Sequence, residues 1–139
     1  MLSKKAQYAL KALEYLVERQ GADPVLIRDI SEQKRIPLKF LENILLELRN
    51  AAILTSKKGK GGGYCLKNPP EQTTLAHVIR VIDGPIAMLP CVSLYFYQPC
   101  DTCDENACRI NKLFIEARDA VLGVLEHKTL RDLLPETSA

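Results

Sequence analysis

The 139 residues are 47% hydrophobic and 26% charged, the size and composition of one folded domain with room for an appended arm. The longest apolar runs are too short to span a bilayer, and the opening Met1-Leu2-Ser3-Lys4-Lys5 lacks the apolar core of a secretory leader, so a cytoplasmic chain with no membrane partner is expected. The net charge of +2 hides an asymmetry: residues 1–68 carry 13 Lys/Arg against 7 Asp/Glu, and residues 69–139 carry 6 against 10, which points the first half towards a polyanion.

Ser3 is placed to cap a helix running to about Gln20, with Ala9, Leu13, Leu16 and Val17 repeating on one face. Gly21-Ala22-Asp23-Pro24 ends it. Val25-Leu26-Ile27 reads as a very short extended piece, and Arg28 to about Lys34 as a second helix. Arg35-Ile36-Pro37 is a tight turn, because Pro37 restricts the residue before it and suits the first position of a helix. The third helix then runs from Pro37 to about Asn50. On it Leu38, Leu41, Leu45 and Leu48 form one stripe; Lys39, Asn43 and Asn50 lie opposite, with Phe40 at the border.

Two extended runs, Ile53–Lys58 and Tyr64–Lys67, flank Gly59-Lys60-Gly61-Gly62-Gly63 and predict a β-hairpin. Asn68-Pro69-Pro70 is a stiff break and the expected boundary within the chain. Thr74 caps a further helix with Leu75, Val78, Ile79 and Ile82 inward, and Asp83-Gly84-Pro85 stops it. Residues 86–107 read as irregular. A long helix is expected from Arg109 to about His127, with Ile110, Leu113, Ala117, Ala120 and Val124 in heptad order and Phe114, Val121 and Leu125 widening the stripe. Thr129 caps a last short helix that Pro135 ends.

Three short helices followed by a hairpin give the order of a winged helix-turn-helix, so the fold class is mainly α with one small β-hairpin and a long C-terminal helix. The hairpin carries Lys57, Lys58 and Lys60 among glycines, where cationic side chains and bare backbone N–H groups can approach phosphates. A nucleotide phosphate loop is excluded, because its glycines must lead through Lys and Ser/Thr into a helix, and here they lead into Tyr64-Cys65-Leu66. No nucleophile–base pair or carboxylate set stands out, so no enzyme is expected.

These segments carry a resemblance. The opening Lys4-Lys5-Ala6-Gln7-Tyr8-Ala9-Leu10-Lys11-Ala12-Leu13, the run Ile36-Pro37-Leu38-Lys39-Phe40-Leu41-Glu42-Asn43 continuing to Ala51, the hairpin Ser56–Tyr64 and Val81-Ile82-Asp83-Gly84-Pro85 resemble the IscR/NsrR/CymR (Rrf-type) winged-helix transcriptional regulators. The resemblance implies that the third helix enters a major groove of double-stranded DNA and the wing reaches the adjacent minor groove. Lys39, Phe40 and Asn43 are then the base-reading candidates, Asn43 for adenine and Lys39 for guanine or a phosphate. Lys57, Lys58, Lys60, Gly62 and Tyr64 would form the contacting wing, with Lys58 where the family often has Arg. Ser3, Lys4, Lys5, Gln7 and Tyr8 would meet the DNA backbone.

Four of the five cysteines follow as Cys91-x8-Cys100-x2-Cys103-x4-Cys108, a spacing that suits an iron–sulfur cluster, zinc or a thiol switch. The resemblance points to an iron–sulfur cluster, 2Fe–2S or 4Fe–4S, whose state alters DNA affinity. The chain departs from that pattern with a fourth cysteine, with Asn111 where some relatives have a histidine ligand, and with Gln7 where others have an acidic residue. All four cysteines, or three of them with water or a small molecule, are the expected metal ligands, zinc in a four-thiolate site being the alternative occupant. Cys65 reads as a packed residue, and His77 and His127 receive no chemistry.

A helix of about nineteen residues is roughly 28 Å long, and its apolar stripe exceeds what a small winged domain covers. A homodimer through residues 109–127 on a palindromic operator is therefore expected, because two half-sites require two-fold symmetry. The expected division is a DNA-binding domain over 1–85, a sensor loop over 86–108, and a dimerisation helix with the terminal short helix over 109–139. The function expected is a DNA-binding repressor sensing iron–sulfur, redox or nitrosative status. Two alternatives stand beside it: a small cysteine-based metal or electron carrier, and a regulator of this fold answering a small molecule without a cluster.

Overall fold

The computed structural model describes residues 2–21 and 23–135. The helices are α1 (Lys4–Glu18), α2 (Ile27–Lys34), α3 (Leu38–Asn50), α4 (Leu75–Ile82) and α5 (Arg109–Leu125); β1 (Leu54–Lys57) and β2 (Gly63–Leu66) form the hairpin. Short 3-10 turns lie at Pro70–Gln72, Pro90–Val92 and Leu130–Leu133. No helix among the described residues is long and apolar enough to cross a membrane.

Ser3 caps α1 as its side chain predicts, its Oγ accepting from the Ala6 N–H at 3.0 Å. The same hydroxyl donates to Asp83 Oδ1, and the Ser3 N–H donates to Asp83 Oδ2 at 3.1 Å, so the start of α1 is tied to the end of α4. Arg35 ends α2 in the left-handed region at φ 53°, and the turn it makes drops Ile36 into the core at 1% exposure. Ser31 Oγ donates to the Ile36 carbonyl at 2.5 Å and holds that turn.

The core is built from Ala9, Leu13 and Leu16 of α1, Ile30 of α2, and Leu41, Ile44, Leu45 and Leu48 of α3, sealed by Ile53 and Leu54. Each large side chain removed from water there contributes roughly 1.5–3 kcal/mol before ordering costs are set against it. Leu38 departs from its predicted stripe and is 39% exposed, while Ile44 is fully buried. At about 100° per residue Ile44 lies beside Leu48 at one end of the arc that holds Leu41 and Leu45, and Leu38 lies at the other end.

β1 and β2 pair antiparallel from Leu54 opposite Leu66 to Lys57 opposite Gly63. The hairpin gains a third line of pairing, because Val25 and Tyr64 exchange both backbone hydrogen bonds at 2.8 Å. Gly63 lies at φ 152°, and a Cβ there would sit 2.2 Å from the Val25 carbonyl oxygen. A Cβ on Gly62 would meet the Lys57 carbonyl oxygen at the same distance. The glycines are thus required by how the wing closes.

The core continues past Asn68-Pro69-Pro70: Val78 of α4 belongs to it. So does Leu130, which returns after α5 and is 1% exposed. Its return is fixed by a bridge between Thr74 and Thr129, with Leu75 N–H on the Lys128 carbonyl at 2.9 Å and Leu130 N–H on the Thr73 carbonyl at 3.0 Å. Between these points α5 is poorly covered. Only Asn111 and Leu122 of it are buried, while Ile110, Leu113, Val121 and Val124 stand at 60%, 63%, 43% and 55% exposure.

Candidate nucleic-acid interface and cysteine loop

Burying Leu41, Ile44, Leu45 and Leu48 turns the opposite side of α3 outward, and that face carries Lys39, Asn43 and Asn50 as the periodicity predicts. Phe40 is exposed at the border, with Tyr8 of α1 meeting it edge to face at 5.5 Å between ring centroids. Lys4 Nζ lies 5.2 Å from the Tyr8 ring centroid. Lys5 is paired with Glu47 Oε1 at 2.7 Å, and Glu47 Oε2 is buried without a hydrogen-bond partner. Of the α1 candidates, Lys4 stays exposed, Lys5 and Tyr8 are half-buried and packed towards α3, and Ser3 is engaged as the cap bound to Asp83.

The wing presents Lys57, Lys58 and Lys60 to solvent, and among the described residues none of them is in an ion pair. Gly62 is buried in the turn, and Tyr64 is half-buried against the core. These two shape the wing, while the lysines supply its charge. Sequence reasoning passed over Glu42 and Leu46, both exposed on the outer side of α3. The same 100° arithmetic that selected Asn43 would have found them.

Cys91 sits in the 3-10 turn Pro90–Val92, Cys100 and Cys103 in the following loop, and Cys108 is the N-cap of α5. All four line one cavity of about 380 Å3 beneath Ile110 and Asn111. Cys108 Sγ accepts from the Asn111 N–H at 3.4 Å, and Cys91 Sγ accepts from Asn111 Nδ2 at 3.3 Å. The Thr102 hydroxyl, 3.4 Å from Cys100 Sγ, lowers that thiol to about 7, helped by a hydrogen bond from Cys103. Cys103 is pushed up to about 12, first by its hydrogen bond to Cys100, then by desolvation and by Cys108. Cys65 stays apart, half-buried in β2.

Glu105 closes the loop across its base. The Tyr97 hydroxyl lies 2.7 Å from both Glu105 oxygens, which raises the phenol pKa, and the Cys100 N–H donates to Glu105 Oε1 at 3.4 Å. The donor set of four thiols around one cavity suits a thiolate-bound metal or iron–sulfur group. The sulfurs are not drawn to a common point: among the described residues no three His, Cys, Asp or Glu side chains are grouped closely enough to hold an ion as arranged.

The Rrf2 family, described as iron-dependent transcriptional regulators, matches residues 2–136. The chain belongs to this family. An Rrf2-like helix-turn-helix regulator of Rhodobacter capsulatus is 44% identical over 138 residues, 96% of this chain and 92% of that protein. The regulator CymR of Bacillus subtilis is 31% identical over 98% of this chain and 91% of its own length. A solved structure of B. subtilis CymR, described as the global cysteine regulator, superimposes with a TM-score of 0.79 at 30% identity, covering 96% of this chain and 95% of that one. IscR of Escherichia coli is 30% identical over 96% of this chain and 79% of its own length.

The Rrf2-family fold confirms the winged helix read from the sequence, and the chain is a DNA-binding transcriptional regulator, its relatives being regulators and not enzymes. In this Rrf2-family chain the outer face of α3 and the wing lysines both stand open to solvent.

Proposed function

We propose that this Rrf2-family regulator acts as a homodimeric repressor on a palindromic duplex operator, and that its cysteine loop senses iron–sulfur, redox or nitrosative status. The observation that carries this reading is the placement of four thiols around one cavity, with Cys108 itself capping α5. Two copies joined along the uncovered stripe of α5 would present two α3 helices to half-sites about 34–36 Å apart. In each copy Lys39, Phe40 and Asn43 face base edges, and Lys57, Lys58 and Lys60 face phosphates. Residues 1–85 then read DNA, residues 86–108 sense, and residues 109–139 join the copies.

Cys91, Cys100, Cys103 and Cys108 would hold an iron–sulfur cluster, which when bound supplies a one-electron couple and a site for oxygen or nitric oxide. Zinc in a four-thiolate site is the alternative occupant. Gathering the four thiols around such a group would pull on Cys108 and hence on the first turn of α5. Arg118 Nη1 donates to the Val92 carbonyl at 2.8 Å, and Arg80 pairs with Glu126 at 2.9 Å, so displacement of α5 passes to the turn at Cys91 and to α4. The signal becomes a changed spacing of two recognition helices.

Iron, acid-labile sulfide and zinc per chain, measured after purification without oxygen, test the reading together with operator affinity. Iron with matching sulfide, and an affinity that changes when the four cysteines become serine, is the expected result. Unchanged metal content and unchanged affinity in that variant overturn it. A second reading has its own observation, the hydrogen-bonded pair Cys100 and Cys103, which suits a dithiol switch without metal. Metal-free chain whose operator affinity is changed by oxidation and restored by a dithiol reductant would favour it.

A further inference from the structure

Asn111 is the most buried residue at the start of α5, at 6% exposure, and it is polar. Its two nitrogen donors go to two different cysteines: the side-chain amide to Cys91 Sγ at 3.3 Å and the backbone N–H to Cys108 Sγ at 3.4 Å. These cysteines are the first and last of the four, seventeen positions apart, and Cys91 belongs to a separate turn. Among the described residues, the Asn111 amide makes the one hydrogen bond that reaches Cys91 Sγ. A carboxamide oxygen is a hard donor and a poor ligand for a soft thiophilic metal, whereas a carboxamide N–H is a good donor to a thiolate.

We propose that Asn111 is a positioning residue and not a ligand: by donating to Cys91 and Cys108 it brings Cys91 into one thiolate ligand set with Cys100, Cys103 and Cys108. The inference rests on the thiolate-metal reading above and names how that site is assembled. The amide donor has a second consequence, because hydrogen bonds to ligand sulfurs help set cluster potentials and stabilise negative charge on the thiolate. Asn111→Asp removes that donor and adds a repelling charge, so it disturbs the site more than Asn111→Ala.

The test uses the full chain, stripped of metal and titrated with cobalt(II), whose sulfur charge-transfer absorbance grows with each thiolate bound. Cys91→Ser is expected to lose about a quarter of the wild-type intensity, as one ligand of four would. Asn111→Ala is expected to keep the full intensity and bind cobalt about 10–100-fold more weakly. Cadmium-113 bound to the wild-type chain adds a readout that needs no substitution: scalar coupling through the Cys91 sulfur to an Asn111 side-chain amide proton. Unchanged intensity in Cys91→Ser, wild-type affinity in Asn111→Ala, or absence of that coupling overturns the inference while leaving metal binding intact. Failure of the wild-type chain to take up either metal overturns the thiolate-metal reading and this inference together.

Discussion

The winged body and the limb made of the cysteine loop and α5 are organised on opposite terms. In the body, Leu41, Ile44, Leu45 and Leu48 are fully buried, and even the wing is stitched to the segment between α1 and α2 through Val25. In the limb, Tyr95, Phe96 and Tyr97 are exposed, and α5 buries two residues of seventeen. The body is finished by its own sequence. The limb leaves apolar surface in water, so its completion depends on what joins it, as the proposed sensing role requires.

The contrast breaks most readily at α5. Leu113→Lys with Val124→Lys changes two well-exposed positions, so the chain should fold as before, but the proposed dimer should dissociate and operator binding should fall below detection. Sedimentation gives the mass, and a variant that sediments like the wild type removes this stripe from the interface. In the body the reverse holds. Leu45→Ala empties a fully buried site and should cost about 2–5 kcal/mol of stability in urea unfolding, whereas serine at Cys100 and Cys103 should shift the midpoint little.

Smaller effects sharpen the DNA-reading side. Asn43→Ala should cost about 1–3 kcal/mol on the operator and less on random duplex. Equal losses on both would take Asn43 out of the base-reading set. Lys58→Ala with Lys60→Ala should weaken every duplex alike and flatten the plot of log affinity against log salt by about 0.9 for each phosphate no longer neutralised. An unchanged slope would show that the hairpin does not touch phosphate.

The smallest effect concerns the metal-free loop. Cys100, lowered to about 7, is largely thiolate at pH 8, while Cys103, raised to about 12, stays protonated, so iodoacetamide should modify Cys100 first. The rate at Cys100 should fall as pH drops through 7. Peptide mass mapping reads the order, and equal labelling of the two would contradict the Thr102 and Cys103 hydrogen bonds.

Local signals in the sequence were enough for the five helices and the hairpin, but not for the 3-10 turns at Pro70–Gln72 and Pro90–Val92. Ser3 and Thr74 announced their helices by capping chemistry, and the glycine run between Lys57 and Tyr64 announced the hairpin. The features that were not legible join distant segments: Val25 to Tyr64, Ser3 to Asp83, and Leu130 to the α1–α3 core. Periodicity reports which face of an element is apolar, but not which partner arrives there. The cysteine spacing pointed to a soft-donor set for the same local reason. It could not disclose that Asn111 reaches back twenty positions to Cys91, since that hydrogen bond exists only once the 3-10 turn at Pro90 lies against α5.

The return of Leu130 also bears on synthesis at the ribosome. Helices α1 to α4 emerge first, yet the seat that Leu130 fills stays open until α5 and Leu130 have followed them out of the exit tunnel. Closing it brings the turn Leu130–Leu133 against α1, with the thiol loop and α5 in the segment between. That closure also fixes the far end of α5, so the winged core is complete only in a chain whose cysteine loop and α5 have already been made.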